Sequence, residues 1–204
     1  MKLLILKNIS FSYGKNQILK DINLSFKQGE KVTLIAPSGY GKSTLAKIIT
    51  GYETQDSGEI FLNDQKIKKN RYSPIQLIHQ NPELSLNPKL NILKHLKESG
   101  VCLNEGFFDF FDIKKEWLYK FPDELSGGEK QKICIARALN EETKFIVADE
   151  ITSMLDSVNQ AKVWKYLLHL VSKHHVGLIS ITHDINLAKK ISDKIIELEK
   201  INNI

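Results

Sequence analysis

The chain has 204 residues, 42% hydrophobic and 26% charged, and its 29 lysines and arginines against 24 aspartates and glutamates give a net charge of +5. This globular balance at this length predicts one domain burying roughly 70% of its unfolded surface, and it excludes a disordered tail or a fibrous repeat as a description of the whole. Two cysteines, Cys102 and Cys134, fit a reducing compartment better than a disulfide scaffold, no zinc-ligand spacing is present, and the positive balance favours anionic ligands without implying DNA.

The apolar run after Met1 is cut at Lys7, short of the about 7 to 15 residues a secretory core needs, so it reads as the start of a first strand, Leu3 to Phe11. No run of about 18 apolar residues exists, so the chain does not span a bilayer alone. Ile18 to Phe26 is a second strand, and beyond the turn Lys27-Gln28-Gly29-Glu30 the run Val32 to Ala36 reads as a buried third strand of the same sheet. Pro37-Ser38-Gly39-Tyr40-Gly41-Lys42-Ser43-Thr44 follows, then a short helix closed by Gly51. Residues 57–62 and 65–67 predict a hairpin turning at Asn63-Asp64, and Ile75 to Ile78 another strand.

From residue 81 to 140 the pattern becomes helical, with breaks at Pro82, Pro88 and Pro122, so this block is expected to be a helical subdomain within a single domain of residues 1–204. Residues 1–80 and 141–204 supply the remainder. Lys144 to Ala148 is an apolar strand ending in Asp149-Glu150, Asp156 caps a helix through Val171, and Val176 to Thr182 is a further strand. Strands separated by helices predict right-handed crossovers and a parallel sheet, hence an α/β fold.

A helix N-terminus carries unpaired amides and partial positive charge, so a glycine-permitted loop leading into it can wrap a phosphate. The pattern G-x-x-x-x-G-K-S/T adds a lysine as a point charge for the β- and γ-phosphates and a hydroxyl as magnesium ligand. Lys42 and Ser43 hold those places, Ser38, Gly39, Gly41 and Thr44 complete the candidate contacts, and Ala36 stands where the pattern has its first glycine. Asp149, at a strand's C-terminal end, can hold Mg²⁺ directly or through water. Strand alternation is expected to point Asp149 and Glu150 apart, one to the metal and the other to the attacking water.

At Leu125-Ser126-Gly127-Gly128-Glu129-Lys130-Gln131 the chain resembles the signature of ABC ATPases. The same family is resembled at Tyr13, at the phosphate loop, at Gln80, at Asp149-Glu150, at Ser153-Met154-Leu155-Asp156 and at His183, which covers nearly the whole chain. The resemblance implies a P-loop NTPase of the ABC type, with a RecA-like core, an N-terminal antiparallel β region and a helical subdomain. It implies ATP and Mg²⁺ as cofactors, and a head-to-tail dimer in which Ser126, Gly127 and Gly128 of one subunit cover ATP held by the other. Tyr13 would then stack on adenine, Ser43 and Asp149 serve Mg²⁺, and Gln80 sense metal and water. Glu150 would be the general base, His183 would contact the γ-phosphate, and Asp156 would bridge to the opposite subunit. Glu129, in place of the usual glutamine, and Ile151, in place of the usual proline, depart from the pattern.

The run Gln80-Asn81-Pro82-Glu83-Leu84-Ser85-Leu86-Asn87-Pro88 is similar to the oligopeptide, dipeptide and nickel importer branch of that family. This similarity implies an ATPase subunit at the cytoplasmic face of the cell membrane. Its partners would be two permease subunits, a second ATPase subunit, different or identical, and indirectly a solute-binding protein. No nucleic acid is expected. The chain ends at Ile204 without the C-terminal extension of many members of that branch, and so reads as a minimal ATPase core. Two other readings are a non-transport ABC ATPase acting on nucleic acid or the ribosome, and a non-hydrolysing nucleotide-binding regulator.

Overall fold

In the computed structural model, which describes residues 2–67, 73–153 and 155–204, the strands fall into two sheets of different kind. β1 (Leu3–Tyr13), β2 (Asn16–Lys27), β4 (Ser57–Leu62) and β5 (Gln65–Lys66) are antiparallel, in the order β2-β1-β4-β5. Alternation makes one face of this sheet apolar, burying Leu4 and Leu6 on β1 and Leu19, Ile22 and Phe26 on β2. Asn63 and Asp64 carry φ values of 52° and 60°, the two positive values that a tight hairpin turn requires.

The second sheet is parallel and runs β6 (Ile75–Ile78), β7 (Phe145–Asp149), β8 (Gly177–Thr182), β3 (Lys31–Ile35), β9 (Lys194–Glu197). The third strand therefore does not continue the sheet of β1 and β2; it pairs with β8 and β9. A strand apolar on both faces is stable only where both faces are covered, and Thr33, fully buried on β3, meets the Ser180 hydroxyl of β8 at 2.6 Å. β9 and the preceding α6 (Ile185–Ile191) were not predicted, because each is too short and lysine-rich to show a period.

Alternation along the parallel strands divides the interior. Val32, Leu34, Phe145, Val147, Ile179 and Ile181 face α1 (Lys42–Thr50) and the antiparallel sheet. Ile146, Ala148 and Leu178 face α5 (Ser157–Lys173) and the helical region. That region holds α2 (Ile92–Glu98), α3 (Glu105–Phe110) and α4 (Gly127–Ala138), with 3-10 turns at Pro82–Leu84, Lys115–Tyr119 and Pro122–Glu124. Polar side chains start its helices: Asn91 caps α2, Asn104 caps α3 and Ser126 caps α4. Among the described residues no helix is long and apolar enough to cross a membrane.

Candidate functional site

Because the strands are parallel, their C-terminal ends share one edge, where ligands bind in open α/β sheets. The loop after β3 carries residues 36–41, the residue after β7 is Glu150, His183 follows β8, and Gln80 lies two residues past β6. Sequence-distant motifs are thereby gathered by topology.

In the loop, the positive φ values fall on Gly39 (86°) and Gly41 (80°), while Ala36 keeps an ordinary negative φ and is buried. Replacing the pattern's first glycine with Ala36 therefore imposes no backbone strain. A Cβ at Gly41 would lie 2.8 Å from Ile18 Cγ2 and 3.1 Å from the Ile18 carbonyl, so the absence of a side chain lets the loop lie against β2. The β1–β2 hairpin beside it ends at Tyr13, which is half exposed and edge-on to Phe11 at 4.8 Å. No side chain caps α1, leaving its first-turn amides at the loop. Lys42 is buried, and its Nζ donates to the carbonyls of Ala36 (2.7 Å) and Pro37 (2.8 Å), so the ammonium lies within its own loop.

Asp149 is 8% exposed, and its Oδ1 is buried with no hydrogen-bond partner among the described residues. Burial pushes its carboxyl above the usual range, the Ser43 hydroxyl's hydrogen bond opposes that shift, and the neighbouring Glu150 carboxylate adds to it. A buried carboxylate oxygen with no donor beside a serine hydroxyl suits a hard, oxygen-seeking cation, so these two residues fit Mg²⁺.

Glu150 departs from the strand with φ 46°, its amide donating to the Ile181 carbonyl at 3.0 Å. Pleat alternation is thus not what separates it from Asp149. A left-handed turn does, a conformation that costs a non-glycine residue about 1 to 3 kcal/mol and persists only where its surroundings fix it. Its Oε1 lies 3.2 Å from His183 Nδ1, and with Ser153 the two line a cavity of about 150 Å³. Gln80 Nε2 donates to Ser153 Oγ at 2.9 Å, tying Gln80 to the segment after Glu150. Ile151, at the position where the resembled pattern commonly has proline, is a buried core side chain.

The remaining candidates lie elsewhere. Ser126 caps α4 in a reciprocal box: its amide and hydroxyl donate to Glu129 Oε2 (2.8 and 2.9 Å), and Glu129 N donates back to Ser126 Oγ at 3.4 Å. Among the described residues, a Cβ at Gly127 or Gly128 would meet nothing within 4 Å, so this face is open to them. Asp156 caps α5, accepting from the amides of Val158 (3.0 Å) and Asn159 (3.1 Å). Met154 lies outside the described residues. Sequence reading missed Thr152, whose buried hydroxyl accepts from Trp164 Nε1 (2.9 Å) and Gln160 Nε2 (3.1 Å) and anchors the turn after Glu150 onto α5. Its only signal was a hydroxyl residue two positions beyond the acid.

A strand, a glycine loop wrapped on a buried lysine, and an acid pair at the same sheet edge define a nucleotide-binding protein of the P-loop class. Residues 19–153 match the family model described as ABC transporter. The chain is 33% identical to the oligopeptide transport ATP-binding protein OppF of Streptococcus mutans, over 95% of this chain and 71% of that one. It is 32% identical to the nickel import system ATP-binding protein NikE of Staphylococcus aureus (95% and 85%) and 32% identical to the arginine transport ATP-binding protein ArtP of Haemophilus influenzae (95% and 87%). Among solved structures, the ATP-binding cassette MJ0796, dimeric in a post-hydrolysis state with ADP and Pi, superposes with a TM-score of 0.78 at 27% identity, covering 95% of this chain and 93% of that one. The chain belongs to the ABC transporter family, as an ATP-binding subunit of the ATP-hydrolysing type.

Proposed function

We propose that this subunit binds Mg-ATP between its phosphate loop and the Ser126-Gly127-Gly128 face of a second ATPase subunit, and hydrolyses it to drive import of an oligopeptide, a dipeptide, nickel or a metal-metallophore complex. The observation that carries the hydrolytic reading is the Glu150–His183 contact of 3.2 Å beside the unpartnered Asp149 oxygen. Glu150 is the general base, oriented by His183 toward a water that Gln80 helps to position. Lys42 leaves the carbonyls of Ala36 and Pro37 for the β- and γ-phosphates, the loop amides at Ser38, Gly39, Gly41 and Thr44 wrap them, and Tyr13 stacks on the adenine. Ser43 and Asp149 would hold Mg²⁺, which when bound neutralises phosphate charge.

From the facing subunit, Ser126 and the amides of Gly127 and Gly128 close on the γ-phosphate, and Asp156 lies at the join. ATP favours the closed pair because it touches both subunits only there. The dimeric state of MJ0796 supports this assembly. The branch resemblance at Gln80–Pro88 favours two different ATPase subunits, held at the cytoplasmic face of the membrane by two permeases and fed by a solute-binding protein. OppF and NikE support the cargo class, and ArtP makes arginine the competing cargo.

The test is Glu150→Gln. Phosphate release from Mg-ATP should collapse while nucleotide-dependent dimerisation persists, and normal turnover would remove Glu150 as the base. For cargo, a deletion strain should lose uptake of peptides or chelated nickel; loss of arginine uptake alone would overturn that choice.

A further inference from the structure

One stripe of α4 grips the segment that follows Gln80. Lys130, Cys134 and Arg137 stand at i, i+4 and i+7, the spacing that aligns side chains on one helix face. Lys130 Nζ meets Glu83 Oε1 at 2.8 Å, Cys134 Sγ contacts the Pro82 carbonyl at 3.7 Å, and Arg137 Nη1 donates to the Ser85 carbonyl. All three acceptors belong to the 3-10 turn Pro82–Leu84 and its C-cap. That turn begins two residues after Gln80, whose amide reaches Ser153, and Ser153 N in turn donates to the Glu150 carbonyl at 3.0 Å. At the other end, Lys130 sits four residues, or about 6 Å along the helix axis, from the Ser126 cap.

The pair between Lys130 and Glu83 is poorly suited to adding stability. Lys130 is 8% exposed, so its ammonium is largely taken out of water, whereas the Glu83 side chain is 62% exposed and solvent screens it. What such a pair fixes is geometry. A buried cation with its carboxylate on the facing turn sets where that turn sits on the helix, and a helix transmits displacement as a rigid body.

Resting on the reading of Gln80 and Glu150 proposed above, we propose that Lys130 is a positioning residue: through Glu83 it makes the 82–85 turn ride on α4, so the placement of Gln80 follows the helix whose N-terminus carries Ser126. Lys130 touches no reacting atom. It determines whether Gln80 is in place when the Ser126 face engages nucleotide.

The experiment compares the full chain with Lys130→Met, Glu83→Gln, Lys130→Arg and the exchanged pair Glu83→Lys/Lys130→Glu, using two readouts. Hydrogen exchange of the amides at 80–86 should rise together in Lys130→Met and Glu83→Gln, with those of α1 unchanged, and should return toward the parent in Lys130→Arg and the exchanged pair. Phosphate release under saturating Mg-ATP should fall roughly tenfold in kcat in the two single variants, with KM for ATP within about twofold, and recover in the other two. Unchanged exchange at 80–86 in Lys130→Met overturns the proposal, as does a loss of kcat that neither Lys130→Arg nor the exchanged pair recovers. Exchange that responds as expected in a parent chain releasing no phosphate would instead sink the hydrolytic reading and leave the clamp standing.

Discussion

His183 Nδ1 lies 3.2 Å from Glu150 Oε1, joining the residue after β8 to the residue after β7 across two adjacent parallel strands. A carboxylate whose backbone is already held at φ 46° by the Ile181 carbonyl thus receives a second restraint at its tip. His183→Ala removes that restraint and leaves the acid. Turnover of saturating Mg-ATP should fall on the order of 10²-fold, measured as phosphate release, with ADP affinity by calorimetry nearly unchanged because ADP lacks the γ-phosphate that His183 would contact.

Lys42 should carry much of the grip on triphosphate. In the proposed complex its ammonium would exchange two neutral carbonyl partners, those of Ala36 and Pro37, for charged oxygens, and a hydrogen bond to a charged group contributes about 1.5 to 3 kcal/mol. Lys42→Ala should therefore weaken ATP binding by roughly 10- to 100-fold in calorimetry, with a smaller loss for ADP.

The two ends of the phosphate loop should respond oppositely to glycine chemistry. Ala36→Gly restores the usual pattern residue at a position of ordinary φ, so it should only loosen the unfolded chain, costing about 0.4 to 1 kcal/mol in urea unfolding without tightening ATP. Gly41→Ala meets both a φ of 80° and the wall of Ile18, and should cost about 2 to 4 kcal/mol and disturb the loop.

Glu129 puts a carboxylate at the N-terminus of α4, which in the proposed pairing would face the partner's nucleotide phosphate, and a glutamine could complete the same capping box there without charge. Glu129→Gln should tighten ATP-driven dimerisation several-fold at low salt, by sedimentation or light scattering, and the gain should shrink as salt screens the repulsion. The same residue has an acid-stability signature. The Ser126 amide holds its carboxyl below the ordinary value, so its stabilising contribution is complete above the unfolded glutamate pKa and is lost as pH falls through the lower folded value. The melting temperature of Glu129→Gln should accordingly fall less than that of the parent below about pH 5.

The two thiols should differ sharply in reactivity. Burial pushes the Cys134 thiol from 9.0 up to about 12, whereas Cys102 is exposed. A thiol reagent at pH 8 should titrate one cysteine quickly in the native chain and two in denaturant. Rapid reaction of both would mean that the face of α4 carrying Cys134 opens readily.

The local motifs were legible because their geometry is local. Gly39, Gly41 and Lys42 sit between an apolar run and a short helical pattern, and Asn63-Asp64 between two strand-like runs, so the turn at each is set by neighbouring residues. The sheet to which β3 belongs was not legible, since its apolar run fits either sheet and only pairing with β8 and β9 decides. The orientation of Glu150 depends on the Ile181 carbonyl and on His183, neither implied by the strand that precedes it. Glu83 and Lys130 are 47 residues apart and would each pass for a surface charge until α4 folds against the turn.

The division of the interior by the parallel sheet also quarantines damage. Phe145 and Val147 look toward the lysine loop, Ile146 and Ala148 toward the helical half, and the backbone between them is common to both. A cavity cut at Phe107 would soften the half bearing Ser126 yet spare the bed of Lys42, so such a variant should still hold nucleotide while engaging less well in the proposed pairing with a second subunit.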